Sequence, residues 1–417
     1  MKIAIVGAGI IGVTTAYELA VDGHEVTVFE RHGAAAEETS FANAGVVAPG
    51  YVTPWAAPGM PGKVLGHLLS RHAPVKLGLP LAGNELLWMW KWWRACKLET
   101  YVANRARLQR LAFYSRQRLH QITADLKLEY DRSDGCMVLL RSEKDRELAQ
   151  PGLQVLRDAG VNFQEIGPEE ARKIEPALNP DTTFAGAIHL GDDEVGNCRQ
   201  FALMLKDEAR RLGAKFEFNT TVSSIGRPQS ASLSIVGEAA PRPFDAIVMC
   251  AGLASAALLR PFGLKLPLAA VHGYSVSAHI REPLNAPRSA VVDERYKVAV
   301  TRLGQRVRVA GSAELGGSPG ALRESSLRTL YKVLHDWFPG AAQLSSGVQE
   351  WKGARPMLPD GPPVIGASGM PGVWLNLGHG ASGWTLGCGS ARAVADLIAG
   401  RPAGVDLEGL GVERLHG

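Results

Sequence analysis

The chain has 417 residues, of which 46% are hydrophobic and 21% are charged, a composition typical of a soluble globular protein with two or three domains. The net charge of +4 is not gathered into a basic cluster, which argues against a nucleic-acid partner, and no apolar run is long enough to predict a membrane-spanning helix. The five cysteines are widely spaced without a Cys-x-x-Cys pair, which is typical of reduced thiols in a cytoplasmic protein and predicts neither a disulfide framework nor a metal site.

The N-terminal segment has the order of elements that a dinucleotide-binding fold requires. An apolar run, Lys2–Val6, predicts a buried parallel strand. Three glycines, Gly7, Gly9 and Gly12, then open a predicted helix with the spacing Gly-x-Gly-x-x-Gly. They allow the tight turn, the approach of a pyrophosphate to the backbone, and the packing of helix on strand, in that order. A second predicted strand ends at Glu30, about 20 residues on, where a carboxylate accepts from ribose hydroxyls.

The next segment leaves this unit and becomes helical. Residues 49–62 are rich in proline and glycine, which predicts an irregular excursion. From about Glu85 to Leu126 the apolar spacing predicts helix. Within it, Leu86–Arg94 holds four tryptophans with lysine and arginine. This pattern favours an aromatic core helix, and a helix that contacts a membrane surface is the alternative.

The middle of the chain predicts a second domain with a mixed or antiparallel sheet. Strands and helices follow each other without the glycine signature of the first unit. The predicted strands are at 135–140, 186–190, 215–218, 222–225, 232–236, 246–250, 268–278, 297–301 and 306–311, and the predicted helices are at 148–159, 201–212 and 327–337. Of these, the helix 201–212 and the strands between 215 and 250, followed by Ala251 and Gly252, indicate a return to the first domain, where they can again contact the cofactor.

The C-terminal segment is the second strong signal. Val373–Leu377 predicts a strand, residues 378–383 a glycine turn, and Trp384–Ala399 a long helix that ends before Gly400. A C-terminal strand, glycine turn and helix that come back to the first domain are typical of a flavoprotein rather than a nicotinamide-dependent enzyme. The helix N-terminus carries about half a positive charge and would stabilise a reduced flavin. We expect Gly380, Ser382, Gly383 and Trp384 to line the flavin side.

Longer stretches resemble a known family over nearly the whole chain. The glycine motif with Glu30 resembles the D-amino acid oxidase superfamily of FAD-dependent amine oxidoreductases. Other stretches are similar, in collinear order, to the bacterial D-amino acid dehydrogenase (small subunit) family. These stretches are residues 38–45, 49–58, Arg71–Pro74, 192–196, 273–275, 353–361 and 375–380.

The resemblance implies oxidative deamination of D-amino acids to 2-oxo acids and ammonia. The hydride would pass from the α-carbon to flavin N5, and the electrons to a respiratory acceptor such as a membrane quinone. A dehydrogenase of cyclic D-imino acids (D-proline or hydroxy-D-proline) and an oxidase that uses oxygen stay open. A flavin electron-carrier subunit without its own substrate is the alternative from another class, and a nicotinamide-dependent dehydrogenase is disfavoured by the C-terminal return.

Three residues are candidates for the reaction. Arg355, in a Gly-Ala-Arg-Pro motif, has a planar fork suited to a carboxylate, and the resemblance places the carboxylate-binding arginine there. Tyr274 is a candidate donor to the same carboxylate, and His379 could lie at the flavin edge. No general base is required, and no residue is evident that would anchor FAD covalently. The cofactor-binding candidates are Gly7, Gly9, Ile10, Gly12, Glu30, Arg31, Ser40, Ala44, Gly45, Val222, Ala251, Gly252, Gly380, Ser382, Gly383 and Trp384.

The predicted fold class is α/β, with a Rossmann-type FAD-binding domain and a second, mixed α+β substrate domain. The FAD-binding domain is predicted to be discontinuous, made of residues 1–50, 195–262 and 345–417. The substrate domain would comprise 51–194 and 263–344. We expect a cytoplasmic protein, with contact to the inner face of the cell membrane left open. The preferred D-amino or D-imino acid, the electron acceptor and the oligomeric state stay undetermined.

Overall fold

A computed structural model describes residues 1–67, 72–78, 81, 83–226, 231–318 and 320–415; Arg71, in one of the family-like stretches, lies outside them. The helices, in chain order, are α1 (Ile10–Val21), α2 (Met60–His67), α3 (Gly83–Ala95), α4 (Leu98–Leu126), α5 (Glu143–Asp158), α6 (Pro168–Ile174), α7 (Cys198–Arg211), α8 (Ala254–Leu259), α9 (Glu324–Trp337) and α10 (Gly383–Ile398). The strands are β1 (Lys2–Val6), β2 (Glu25–Phe29), β3 (Val46–Val47), β4 (Val75–Gly78), β5 (Ser133–Leu140), β6 (Gln164–Ile166), β7 (Gly186–Val195), β8 (Lys215–Glu217), β9 (Val222–Ile225), β10 (Ser232–Ile235), β11 (Arg242–Pro243), β12 (Ala246–Met249), β13 (Ala269–His279), β14 (Ala290–Asp293), β15 (Val298–Leu303), β16 (Arg306–Gly316), β17 (Gln349–Met357), β18 (Val364–Ala367) and β19 (Val373–Leu377).

The first sheet confirms the predicted Rossmann-type unit. Its strand order is β18-β19-β12-β1-β2-β8, with all neighbours parallel except the antiparallel β18. Apolar side chains of β1, β2 and β12 pack on one face against α1, α4, α7 and α10. The other face packs against β9, β10 and α8. Because both faces are buried, the strands are continuous apolar runs, which is why the sequence predicted them well.

The second sheet confirms the predicted mixed α+β part of the fold. Its strands run in the order β17-β13-β16-β15-β14-β5-β7-β3, with β4 beside β16 and β6 beside β7. Most neighbours are antiparallel, but β14–β5 and β16–β4 are parallel. Helices α6 and α9 bury one face of its middle strands.

The division of the chain into domains at the predicted boundaries stays a prediction. Strands β3 and β17 belong by sequence position to the predicted FAD-binding domain, yet both are hydrogen-bonded into the second sheet. Helix α4 belongs to the predicted substrate domain, yet it packs into the core beneath the first sheet. The segments on each side of the predicted boundaries therefore contribute to both parts of the fold.

The tryptophan-rich segment is buried on one side and exposed on the other. The predicted long helix is two helices, α3 and α4, that break at Cys96 and Lys97. Trp88 is buried, and its Nε1 donates to the Met357 carbonyl at 2.9 Å. Trp90 and Trp93 lie on the outside of α3, 48% and 61% exposed. Among the described residues, no helix combines the length and the apolar character that crossing a membrane requires.

Candidate active site

A cleft of about 340 Å³ opens at the carboxyl ends of the parallel strands β1, β2, β12 and β19. This edge is where open α/β sheets bind their ligands. Most of the predicted cofactor-binding residues meet there. Of the candidates, the cleft is lined by Gly7, Gly9, Ile10, Glu30, Arg31, Ser40, Val222, Ala251, Gly252, His379, Gly380 and Gly383.

The glycine motif after β1 has no room for a side chain at Gly7 or at Gly12. Gly7 has a φ of +101°, and a Cβ there would lie 2.7 Å from the Cys250 carbonyl oxygen. A Cβ on Gly12 would lie 1.8 Å from the Gly7 carbonyl oxygen. Gly9 is open by comparison, since its nearest neighbour would be the Ser40 hydroxyl at 3.5 Å. The turn is therefore tightly packed at Gly7 and Gly12 and accessible at Gly9, as a phosphate-binding turn requires.

Glu30 and Ser40 both hold this turn through its backbone N–H groups. The Glu30 carboxylate accepts from the backbone N–H groups of Ala8 at 2.7 Å and of His32 at 2.9 Å. The Ser40 hydroxyl accepts from the Ile10 N–H, at 3.0 Å, at the N-terminus of α1. These contacts fix the first amides of α1 next to the cleft, where the helix dipole favours an anion.

The residues present fit a dinucleotide with a flavin. The accessible turn and the Glu30 carboxylate match the needs of a pyrophosphate and a ribose. At the other end of the cleft Asn376 is fully buried, and its Oδ1 has no hydrogen-bond partner among the described residues. A buried, unpaired amide oxygen beside a cleft indicates a donor supplied by a ligand.

Five cofactor-binding candidates are not among the described residues that line the cleft: Gly12, Ala44, Gly45, Ser382 and Trp384. The Trp384 indole packs against the rings of Tyr130 and Phe201, with centroids 6.0 and 5.0 Å away. Its Nε1 donates to the Gly45 carbonyl at 3.1 Å. Trp384 therefore joins α10 to the segment before β3. Direct contact with the cofactor stays a prediction for these five residues, as it does for the candidates that line the cleft.

His379 lines the cleft as a neutral side chain. Burial lowers its pKa to about 3. Ser390 donates its hydroxyl hydrogen to the Gly387 carbonyl at 3.1 Å, so the same hydroxyl oxygen accepts from His379 Nε2–H at 3.0 Å. The imidazole thus joins the turn before α10 to the helix itself, and it does not exchange protons near neutral pH.

Arg355 is a cation without a carboxylate partner among the described residues. It lies on β17, where its Nη1 donates to the Ser312 carbonyl at 3.1 Å. The guanidinium covers Gly273 of β13, because a Cβ there would be 2.3 Å from Nη2. Burial lowers its pKa to about 10, so it stays charged at neutral pH. A partly buried guanidinium of this kind is suited to an anionic ligand. The next residue, Pro356, lines the cleft.

The structure does not bring Tyr274 together with Arg355. Val271 lies opposite Arg355 and Tyr274 lies opposite Lys352 in the unbroken register of β13 and β17. Successive side chains of a strand alternate between faces, so Tyr274 lies on the other face. Its hydroxyl donates to Glu314, and its ring packs in the core beneath α9. The predicted shared carboxylate contact is therefore corrected.

Among the lining residues that the sequence analysis missed, three have polar or thiol side chains of interest for the site. Thr39 and Cys250 line the cleft with Asn376. The Thr39 hydroxyl donates to the Ala354 carbonyl at 2.5 Å, which joins the cofactor loop to β17. Thr39 lies in the family-like stretch 38–45, in which the resemblance predicted only Ser40, Ala44 and Gly45 as cofactor-binding residues. Cys250 directly follows the buried strand β12, and Asn376 lies near the end of the buried strand β19. Neither residue belongs to a sequence motif that would mark it as part of a site.

The model of the DAO family, described as FAD dependent oxidoreductase, matches residues 2–397. The D-amino acid dehydrogenase of Bradyrhizobium diazoefficiens is 42% identical over 416 residues, which cover 99% of both chains. The D-amino acid dehydrogenase of Cereibacter sphaeroides is 42% identical over 418 residues, which cover 99% of this chain and 95% of that protein.

Two solved structures share the fold at lower identity. Glycine oxidase from Geobacillus kaustophilus superposes with a TM-score of 0.74 at 21% identity, covering 99% of this chain and 98% of that one. L-proline dehydrogenase from P. horikoshii also gives 0.74, at 16% identity, covering 100% of this chain and 97% of that one. With a family match over nearly the full length, the chain belongs to the DAO family of FAD dependent oxidoreductases.

Proposed function

We propose that the protein oxidises D-amino acids to 2-oxo acids and ammonia with non-covalently bound FAD. The observation that carries the substrate class is the guanidinium of Arg355, which has no acidic partner among the described residues and lies beside the cleft. A protein that only carried electrons would have no use for such a group. The full-length relatives named D-amino acid dehydrogenase support the same class.

Each side chain of the site has a defined task in this proposal. Arg355 binds the substrate carboxylate through its fork, which orients the α-carbon. Glu30 and the N-terminus of α1 hold the ribose and the pyrophosphate. Neutral His379 keeps the turn before α10 in place without adding a charge. FAD, when bound, supplies the hydride acceptor.

We assign no side chain as general base. The substrate amine has to be neutral before the α-hydrogen leaves as hydride, and proton loss to water achieves this. The protein then contributes orientation, exclusion of water and the electrostatics of the site. Hydrolysis of the resulting imino acid gives the 2-oxo acid and ammonia.

The test is product formation by the purified holoenzyme with a soluble dye as electron acceptor. We expect equal amounts of 2-oxo acid and ammonia from D-amino acids and none from the L-enantiomers. Dye reduction by cyclic D-imino acids alone, without ammonia because the nitrogen stays in the carbon chain, would move the substrate to that class. Turnover with oxygen in place of the dye would identify an oxidase. Absence of product with every amino acid would refute the proposal. Acid precipitation should leave the flavin in the supernatant, and a yellow pellet would refute non-covalent binding.

We further propose that the outer face of α3 contacts an anionic membrane, where a quinone would accept the electrons. Leu86, Leu87, Trp90 and Trp93 are all about half exposed or more. The Arg94 guanidinium lies 4.9 Å from the centroid of the Trp90 ring. Tryptophan beside cationic side chains is the composition of interfacial helices.

Flotation with vesicles that contain anionic lipid tests this contact. We expect the wild-type protein to float and a Trp90→Ser/Trp93→Ser double variant to stay at the bottom. Leu284→Ser is the matched control, since Leu284 is exposed elsewhere on the surface. Failure of the wild-type protein to bind, or equal binding of the double variant, would refute the contact.

A further inference from the structure

Two glycines that face each other across β13 and β17 make room for two flat groups. Gly273 and Gly353 are directly paired. The guanidinium of Arg355 covers Gly273, and the benzo edge of the Trp351 indole covers Gly353, where a Cβ would lie 1.8 Å from Cη2 and 2.2 Å from Cζ2. Cβ positions of residues paired across two strands are about 5 Å apart. The indole edge and the guanidinium are therefore neighbours on one face of the sheet.

The indole is held in this position from its other side. Its ring stacks on Phe41, with centroids 6.4 Å apart and an interplanar angle of 29°. The Arg199 guanidinium in turn lies 4.2 Å from the centroid of the Phe41 ring. Phe41 belongs to the loop whose Thr39 donates to the Ala354 carbonyl of β17. Trp351 is thus a fixed wall beside Arg355.

The Arg355 guanidinium and the Trp351 indole edge favour different substituents of a bound amino acid. The carboxylate binds Arg355, and this step rests on the proposed function. The benzo edge of Trp351 carries only C–H groups, so it gives the amine no hydrogen-bond partner. The substituent that can face it without losing a hydrogen bond is the substrate side chain. We infer that Trp351 determines specificity by limiting the size of the substrate side chain.

The experiment compares side-chain sizes in the holoenzyme. Anaerobic flavin reduction is followed with D-alanine and with D-phenylalanine, and the ratio of their second-order rate constants is taken for each variant. We expect Trp351→Phe, which keeps a ring to stack on Phe41, to raise the ratio of D-phenylalanine to D-alanine by about tenfold. Trp351→Leu removes more of the wall and should raise it further.

Glu350→Gln is the matched control. Glu350 precedes Trp351 on β17, but its carboxylate accepts from the Tyr331 hydroxyl at 2.7 Å on the opposite face. We expect its ratio to equal that of the wild-type enzyme, which would show that disturbing β17 alone does not change selectivity.

The outcomes separate this inference from the proposed function. Wild-type enzyme that no D-amino acid reduces would overturn the proposed function and this inference with it. Normal reduction of the wild-type enzyme with an unchanged ratio in both Trp351 variants would overturn the inference alone. A lower flavin content in both variants, with an unchanged ratio in the fraction that still holds FAD, would overturn it too, and would identify Trp351 as support for the cofactor loop.

Discussion

Arg355 and Tyr274 lie on neighbouring strands of one sheet, but their side chains are on opposite faces. The guanidinium covers Gly273 and donates to the Ser312 carbonyl. The tyrosine hydroxyl donates to Glu314, which also accepts from Lys352 at 3.1 Å and pairs with Arg323. One face of β13 and β17 therefore holds a cation, Arg355, without an acidic partner among the described residues. On the other face, the negative charge of Glu314 is balanced by Lys352 and Arg323.

Tyr274→Phe should leave substrate binding unchanged. The lost hydroxyl removes one donor from Glu314 but nothing from Arg355, so the unfolding free energy should fall by about 1–3 kcal/mol while KM stays as in the wild-type enzyme. Steady-state kinetics and thermal unfolding measure the two effects. A large rise in KM with unchanged stability would return Tyr274 to the substrate site.

Arg355→Ala should weaken amino acid binding strongly. Because the substrate carboxylate would lose its charged partner, kcat/KM should fall by an amount equivalent to about 2–5 kcal/mol. The kcat/KM of Arg355→Lys should lie between those of the wild-type enzyme and Arg355→Ala, because an ammonium keeps the charge but loses the planar fork of the guanidinium. The flavin content of both variants should match the wild-type protein, since Arg355 makes no described contact with the glycine turn. Unchanged kinetics in Arg355→Ala would refute its role.

Gly273→Ala should act on the same step without touching the arginine. The new Cβ would lie 2.3 Å from Nη2, so the guanidinium has to move, and KM should rise by an amount equivalent to about 1–3 kcal/mol. Gly62→Ala is the matched control, because no atom lies within 4 Å of a Cβ there. If both variants show wild-type KM, the position of the guanidinium over Gly273 is irrelevant to binding.

The strand register explains why the sequence misassigned Tyr274. Both faces of β13 are buried along most of its length. The strand therefore lacks the polar-apolar alternation that would show which side chains lie on which face of the sheet. Its pairing with β16 also shifts between His272 and Tyr274, next to Ser312 with a φ of +56°. Such a bulge has no clear signature in these residues.

The Rossmann-type unit was predictable because local rules and tertiary packing agree there. The glycine spacing, the apolar strands and Glu30 all follow from the demands of one turn. The start of α5 could also have been found: Ser142 and Asp145 form a capping box, but the prediction began the helix at Leu148. The environment of the tryptophans of α3 depends on which of them meets Met357, and that is a tertiary contact.

Asp193 should make the stability of the fold depend on pH. It is 2% exposed, and its Oδ2 has no partner among the described residues. Burial raises its pKa from 3.8 to about 7. Between these values the folded state keeps a proton that the unfolded state has released, so this group's contribution to stability falls as pH rises from about 4 to 7. Asp193→Asn should therefore stabilise the protein by about 1–3 kcal/mol at about pH 8 and little at about pH 4.

Thermal unfolding of both proteins across this range measures the effect. Asp192→Asn is the control, because its side chain is exposed and the substitution should change the unfolding temperature little at any pH. A constant difference between Asp193→Asn and the wild-type protein over the whole range would show that the buried carboxyl does not titrate in the window.

The most direct test of the account is anaerobic flavin reduction in the wild-type holoenzyme, with D-alanine and L-alanine compared side by side. If Arg355 orients the α-carbon of a D-amino acid beside the cleft, D-alanine will bleach the flavin and L-alanine will not. Bleaching by the L-enantiomer, or by neither, would contradict the proposed function.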